Sequence, residues 1–521
     1  MTLPWRKRLE YRLLRWQARL EGTAFNRTGP WIFSVVLFVL LLLIALARSR
    51  ELSEEASLAG AMQTVWLIGD WFTPDASLLS HNYLFEQAGY LIYPVALAAR
   101  VFPTAITLLV VQSAALALAI VPLWRLARDV VNLRVGTTIA IVVAYGAYSA
   151  IHAINIAGFH LEALALPAII GAVVNGKRER WIRYWIMIAI VLSARADLGI
   201  AVAGLGALWW IDGRRRLGYA TAVAGIGWAT LAILVLQPAY AGGDFPHVEA
   251  FAAYGGDNPF SVLWGIVTSP VTFTQELFSQ ANFLTIVSLL APVLFLPVVA
   301  PRYLLPAVPL YSLYLVADVP EGTLEEAGQF VPITAFVFIA LTFGIAKTGR
   351  VIVQKVNIDR RLISALVFTA AVFFARDAVT SPYEEPWAWG RQDGVDQARF
   401  DAADLIPEDA VVRAAPKVLP LITERVGLFE LDYPADPAIE GFDVANAAAL
   451  DVNWIVFDRS EINETWSDQQ RRLFPLAFCT ELARSGWLPV ARAAGVEVYT
   501  FESIADSLGI DAAPASDEGL C

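Results

Sequence analysis

Apolar residues in this chain come in long uninterrupted runs, not in the alternation of a half-buried strand or the single stripe of a surface helix. The clearest is Trp31–Ala47, WIFSVVLFVLLLLIALA, close to the roughly 20 apolar residues that cross about 30 Å of hydrocarbon. Further runs at 103–123, 135–154, 161–175, 183–194, 198–211, 218–237, 280–297, 303–317, 330–346 and 362–375 predict about eleven membrane spans. Two of them, WIRYWIMIAIVLSA and LGIAVAGLGALWWI, give only about 20 Å of helix each at 1.5 Å per residue. They meet at Arg195-Ala196-Asp197, so a helical hairpin with a charged apex, set in a cavity and shielded from lipid, is expected there.

Polar stretches separate the runs. The 48–92 stretch is too long and too polar for one span and predicts a large external loop with amphipathic helices, lying along the membrane surface with Trp66 and Trp71 at the interface. A second external loop, 238–275, is rich in Gly and Pro and reads as mobile turns. From about Tyr383 the pattern changes. AVVRAAP, VGLFEL, NWIVFDR and GVEVYTF read as short strands, and QRRLFPLAFCTELARSG as a helix closed by Gly486. The expected fold is an all-α polytopic membrane domain (31–375) followed by a small α/β domain (383–505), with a basic segment (1–30) before and a tail (506–521) after.

Composition agrees: 57% hydrophobic and 17% charged residues is more apolar material than a water-soluble core of this size needs. The Trp31 run is read as a permanent span, because about 30 residues precede it and no small-residue cleavage site follows. Arg6, Lys7, Arg8, Arg12, Arg15, Arg19 and Arg27 against Glu10 and Glu21 put the amino terminus in the cytoplasm, and later basic clusters at Arg125–Arg134, Gly176–Arg183, Gly213–Arg216 and Lys347–Arg361 mark further cytoplasmic loops. An odd number of spans then places the carboxy-terminal domain outside. The net charge of −11 belongs to that domain, since the chain from Arg376 onward carries about −16 by formal count. This excludes nucleic acid as a partner and leaves the lipid bilayer as the certain one; protein partners stay unassigned. Cys479 and Cys521 both lie in the exported part, where a disulfide between them and two separate thiols are both open. No spacing of metal ligands is visible, and a divalent metal is left open.

Few residues offer chemistry. His160 and Glu162, in NIAGFHLEALALP, fall at the external end of a span. An ionisable group at a span's centre costs about 2.5–3.5 kcal/mol, and less near an interface. Two readings therefore stand: a boundary pair held by backbone and helix dipole, or a pair lining a cavity. Arg195 and Asp197 should reach the same external level, which favours the second. Glu54, Glu55, Asp70 and Glu86 are the carboxylates of the first loop that weigh as candidates.

Several stretches together carry a family resemblance: YPVALAARVFPTAITLLVVQSAALALAIVPLWRLARD, FHLEALALP, ARADLGIAVAGLGALWW with RRRLGYA, APRYLLPAVPLYSLYL, and in the tail IPEDAVVRAAPKVLPLITERVGLFEL and WIVFD. The chain resembles the domain of unknown function 2079 family of bacterial membrane proteins, itself distantly similar to GT-C fold glycosyltransferases. The resemblance implies a GT-C-like enzyme that moves a sugar from a polyprenyl-phosphate donor to an exported acceptor. A first-loop carboxylate (Asp70, Glu55 or Glu86) would be the base, His160, Glu162 and Gln63 would line the substrate site, and Arg195, beside Asp197, would offset phosphate charge. The chain departs from the family pattern where Ser57 and Met62 stand at the two acidic positions of the first loop, and Leu161 replaces a proline. The alternative is a non-catalytic membrane protein that binds lipid-linked glycan or scaffolds envelope enzymes. A transporter is less favoured, because no inverted repeat is visible.

Overall fold

In lipid a backbone must satisfy its own hydrogen bonds, so apolar runs become helices. The computed structural model describes residues 20–52, 56–79, 81–240, 245–318, 324–352, 355–431, 451–462 and 468–513. Among the described residues, five helices are long and apolar enough to cross a membrane: Thr23–Arg50, Thr104–Val130, Arg215–Tyr240, Gly328–Thr348 and Arg360–Glu384. Two helix pairs also qualify if each is taken as one span: Val135–Gly146 with Ser149–Ile156, bent by 41°, and Pro270–Leu277 with Gln280–Val293, bent by 49°. The second bend follows from sequence, because Ser279 starts a new helix by accepting a hydrogen bond from the Asn282 N–H.

The other four predicted runs fall on shorter helices: Ala165–Lys177, Trp181–Ala194, Leu198–Ile211 and Val308–Val316. Leu198–Ile211 packs closely on Arg215–Leu231 because small residues face each other. A Cβ added at Gly206 would sit 2.6 Å from the Ala222 nitrogen, and one at Gly225 would strike the Gly199 carbonyl. Small residues at such contacts are how helices without a hydrophobic drive between them pack. The expected mobile loop at 238–275 is helical instead, with helices Pro259–Thr268 and Pro270–Leu277. The prolines there stand at helix starts, and Asn258 caps the first helix through the N–H groups of Phe260 and Ser261.

The chain divides into two compact units, one of 1–45, 84–92 and 109–387, the other of 46–83, 93–108 and 388–521. Most of the first-loop stretch thus groups with the carboxy-terminal residues. The second unit holds a five-stranded sheet: β1 (Val412–Ala414), β2 (Leu428–Glu430), β3 (Trp454–Asp458), β4 (Trp487–Ala493) and β5 (Val496–Phe501), in the order β2-β1-β3-β5-β4. β1 runs parallel to β2 and β3, and β5 antiparallel to β3 and β4. Strand β3 is buried along its whole length. Its alternate residues enter two cores, Trp454 and Val456 with Ala398 and Ala402, Ile455 and Phe457 with Phe478 and Leu482, as the two-residue strand period requires. Four strands match the sequence pattern; β4 and the helix Gly394–Leu405 were not expected.

Candidate functional site

The helix Trp181–Ala194 stops at Arg195, whose backbone is extended (φ −160°, ψ 149°), and the next helix begins after Asp197. The turn is fastened to residues 84–92: the Ala196 N–H donates to the Gln87 carbonyl at 3.1 Å, and the Leu91 N–H to the Ser193 carbonyl at 3.1 Å. Asp197 stands at a helix start yet makes no side-chain cap. Its carboxylate accepts from Arg195 instead, Nε to Oδ1 at 2.8 Å and Nη2 to Oδ2 at 3.0 Å.

A second segment supplies the other half. The helix Ser149–Ile156 ends, Gly158 turns the chain at φ 96°, His160 is extended, and a 3-10 turn runs over Leu161–Leu164. Gln112 shapes this turn from inside. Its amide donates to the carbonyls of Ile154 (2.8 Å) and Gly158 (2.7 Å) and accepts from the His160 N–H at 2.5 Å. Asn155 adds to the frame by donating to the Leu41 carbonyl and accepting from Ser113 Oγ, both at 2.9 Å.

The two halves meet in one network. Arg195 Nη1 reaches Glu162 Oε1 at 2.7 Å, and His160 Nδ1 lies 3.6 Å from that same oxygen. The Tyr314 hydroxyl donates to Asp197 Oδ2 at 2.5 Å and also contacts Arg195 Nη2. His160 is 3% exposed and Glu162 2%, whereas the Asp197 side chain keeps 26% of its surface. Gly328 completes the closure, since a Cβ there would collide with Glu162 Oε1. The fold thus brings together His160, Glu162, Arg195 and Asp197, all expected from sequence, and adds Tyr314, Gly328 and Gln112, which were not.

One guanidinium faces two carboxylates, so leaving His160 aside the network carries a formal charge of −1. Arg195 already directs Nη1 at Glu162 and both Nε and Nη2 at Asp197. Its charge is directed at those two carboxylates. What the arrangement can do chemically is accept hydrogen bonds, through the partly exposed Asp197 carboxylate and through the imidazole of His160.

The remaining candidates are placed elsewhere. Glu86, in the short helix Tyr83–Gln87, is half-buried, and its carbonyl accepts from Gln237 Nε2 at 3.1 Å and His247 Nε2 at 3.0 Å. Its neighbour Gln87 is the residue tied to Ala196, so Glu86 is the first-loop candidate fastened beside the hairpin. Asp70 is exposed just after the helix Ala56–Gly69, in the other unit. Glu54 and Glu55 lie outside the described residues.

Gln63, expected to contact substrate, is fully buried and engaged within its own unit. It donates to Ser77 Oγ (2.9 Å) and the Arg425 carbonyl (3.0 Å) and accepts from the Leu78 N–H (3.1 Å). That use of both ends of the amide makes it a fastener of the first-loop helix. Cys479 is buried beside Arg492; Cys521 lies outside the described residues. Among the described residues, no group of three or more His, Cys, Asp or Glu is arranged to hold a metal ion.

A family model of predicted membrane proteins, domain of unknown function 2079, matches residues 60–498. The chain belongs to that family. Members of it are grouped as membrane proteins, in keeping with the spans described above. No curated protein matches the chain. Among solved structures, the chain is similar to ArnT from Cupriavidus metallidurans bound to undecaprenyl phosphate, at 14% identity and a TM-score of 0.45, over 91% of this chain and 98% of that one. It is also similar to the apo form of ArnT, at 13% identity and 0.46, over 89% and 97%. A third is the archaeal oligosaccharyltransferase AglB from Archaeoglobus fulgidus in complex with an inhibitory peptide and a dolichol-phosphate, at 11% identity and 0.41, over 91% and 74%.

Proposed function

We propose that this family member is a GT-C-like membrane glycosyltransferase that moves a sugar from a polyprenyl-phosphate donor to an exported acceptor. The observation that carries the reading is the network of His160, Glu162, Arg195, Asp197 and Tyr314, its first two members buried, at the apex of a hairpin whose helices are too short to span. Ionisable groups at membrane depth are costly and mark functional sites by default. In this reading the acceptor hydroxyl meets the network at Asp197, and Arg195 and Tyr314 hold that carboxylate in place. The amino terminus is cytoplasmic, about eleven apolar helices form the membrane domain, and the α/β domain is exported, where Cys479 and Cys521 pair.

The test is chemical. Cells carrying wild type, a deletion, or Asp197→Asn are compared for polyprenyl-linked sugars and envelope glycans. Accumulation of a polyprenyl-phosphate sugar in both mutants supports transfer; identical profiles in all three overturn it.

A second reading, a non-catalytic protein that binds lipid-linked glycan or scaffolds envelope enzymes, is favoured by one observation: Ser57 and Met62 stand where family members carry first-loop acids, and Met62 is buried. Under it, a deletion changes envelope glycans while Asp197→Asn does not.

A further inference from the structure

Two histidines are buried in the membrane unit, and they are used differently. His152 has both ring nitrogens engaged, Nε2 with the Gly146 carbonyl at 2.8 Å and Nδ1 with Thr380 Oγ1 at 2.6 Å. That is how a histidine serves structure alone, because a buried ring nitrogen without a partner costs about 1–3 kcal/mol. His160 has Nδ1 facing Glu162 Oε1, and its Nε2 is buried with no hydrogen-bond partner among the described residues. A packing role would not leave that nitrogen open beside a network so thoroughly paired.

We infer that His160 is the general base of the transfer reaction, with Glu162 as its positioning residue, and that this dyad replaces the first-loop acids absent at Ser57 and Met62. The inference rests on the transferase reading above. Glu162 favours the proton on Nδ1, which leaves the Nε2 lone pair to accept, the arrangement by which a carboxylate orients a catalytic imidazole. Arg195 holds Glu162 from the other side, and Gln112 holds the His160 backbone. The Nδ1 to Glu162 separation of 3.6 Å is long for a closed hydrogen bond, as such contacts often are before substrate binds. Among the described residues, the charged and titratable groups of this network are Glu162 beside the imidazole, then Arg195, Asp197 and Tyr314, and Gly328 abuts Glu162 Oε1 without a side chain.

In the step, the acceptor hydroxyl enters past Asp197 and gives its proton to Nε2 as its oxygen bonds to the anomeric carbon. The bond from that carbon to the phosphate oxygen breaks, and polyprenyl phosphate leaves with the electron pair. The imidazolium then passes its proton to the departing phosphate or to solvent. No metal or oxidant enters the balance.

The test uses the full chain in lipid nanodiscs with a panel of polyprenyl-phosphate monosaccharides labelled in the sugar and, as acceptor source, an envelope extract from cells deleted for the chain, and follows release of polyprenyl phosphate with transfer of label to the extract. His160→Gln is expected to slow release by about 10²–10⁴-fold, the usual contribution of a general base. Glu162→Gln is expected to keep measurable turnover but to lower kcat with KM little changed, since a positioning residue acts on the chemical step more than on substrate binding. No release by wild type from any donor overturns the transferase reading and the base with it. Release by wild type with His160→Gln within about threefold overturns the base alone and leaves the reading standing. If His160→Gln fails to fold, the kinetics of Glu162→Gln decide, and an unchanged kcat overturns the assignment.

Discussion

Each unit sets an arginine between two carboxylates, and the two clusters differ in what surrounds them. In the second unit, Arg399 sends Nε to Asp458 (2.7 Å), Nη1 to Asp396 (2.6 Å) and Nη2 to Ser460 Oγ (2.7 Å), and Asp458 is fully buried at the end of β3. Those partners are close in sequence or fixed by the sheet, and the result fastens the helix Gly394–Leu405 to a strand end. In the membrane unit, Arg195 is paired as thoroughly, yet Asp197 keeps part of its surface exposed and His160 has a buried ring nitrogen with no hydrogen-bond partner among the described residues. A buried ion pair is weak evidence of either stability or function by itself. The difference lies in the group left unpaired beside it.

The largest effects should come from removing the arginines. Arg399→Ala leaves Asp458 and Asp396 buried without a countercharge, and breaking such a pair costs about 3–5 kcal/mol; a protease-resistance assay of the full chain should show loss of the 388–513 region. Should Arg195→Ala prove as destabilising in detergent melts, the two clusters are equal as clasps and differ only in chemistry. Arg195→Lys separates the roles further, because a lysine cannot reproduce the planar fork.

Next comes Gln112→Leu. It strips partners from the carbonyls of Ile154 and Gly158 and from the His160 N–H, at about 1–3 kcal/mol for each buried group left unmade. Both the melting temperature and transfer should fall. A protein that melts normally but has lost transfer would show that Gln112 shapes the site more than it supports the fold.

Gly328→Ala is a narrower probe. Its added methyl meets Glu162 Oε1, and such overpacking costs about 1–3 kcal/mol. Transfer should drop more than the melting temperature does, and unchanged kinetics would mean that Glu162 can move without consequence.

The smallest effect is a pH dependence confined to the second unit. Glu461 is pushed up to about 8 by burial and by Asp458 nearby. A carboxyl raised above its unfolded value favours the folded state while protonated, so its stabilisation is complete below about pH 4.5 and is lost as pH rises through about 8. Denaturant midpoints of the full chain should therefore decline between pH 5 and 9 in wild type and flatten in Glu461→Gln. A parallel decline in both would assign the dependence to other groups.

Much of this cluster was legible because its halves lie where apolar runs end. FHLE and RAD each interrupt an apolar run, and the basic loops place both on one side, so their meeting was expected before any coordinates. Tyr314 was not, because a tyrosine in VPLYSLYLV is unremarkable. Gly328 has no chemistry to announce it, and its role is the absence of a side chain. Gln112 did carry a signal, as an amide inside LLVVQSAALALA. Read as a buried polar group in want of partners, it would have pointed to a turn to be held. The 238–275 loop was misread because its prolines were counted as breakers when two of them open helices.

Sequence alone determined that the chain enters a membrane, where its long apolar helices run, and that a strand-rich domain follows. Those are local properties: a run of apolar residues satisfies its backbone within itself, and a strand shows its period within a few residues. Only the tertiary structure decided which charges meet. Arg195 and Glu162 are 33 positions apart and Tyr314 and Asp197 are 117 apart, distances over which composition says nothing and helix packing says everything. It also decided that Arg195 serves carboxylates, that Gln63 is a fastener, and that one nitrogen of His160 is left open.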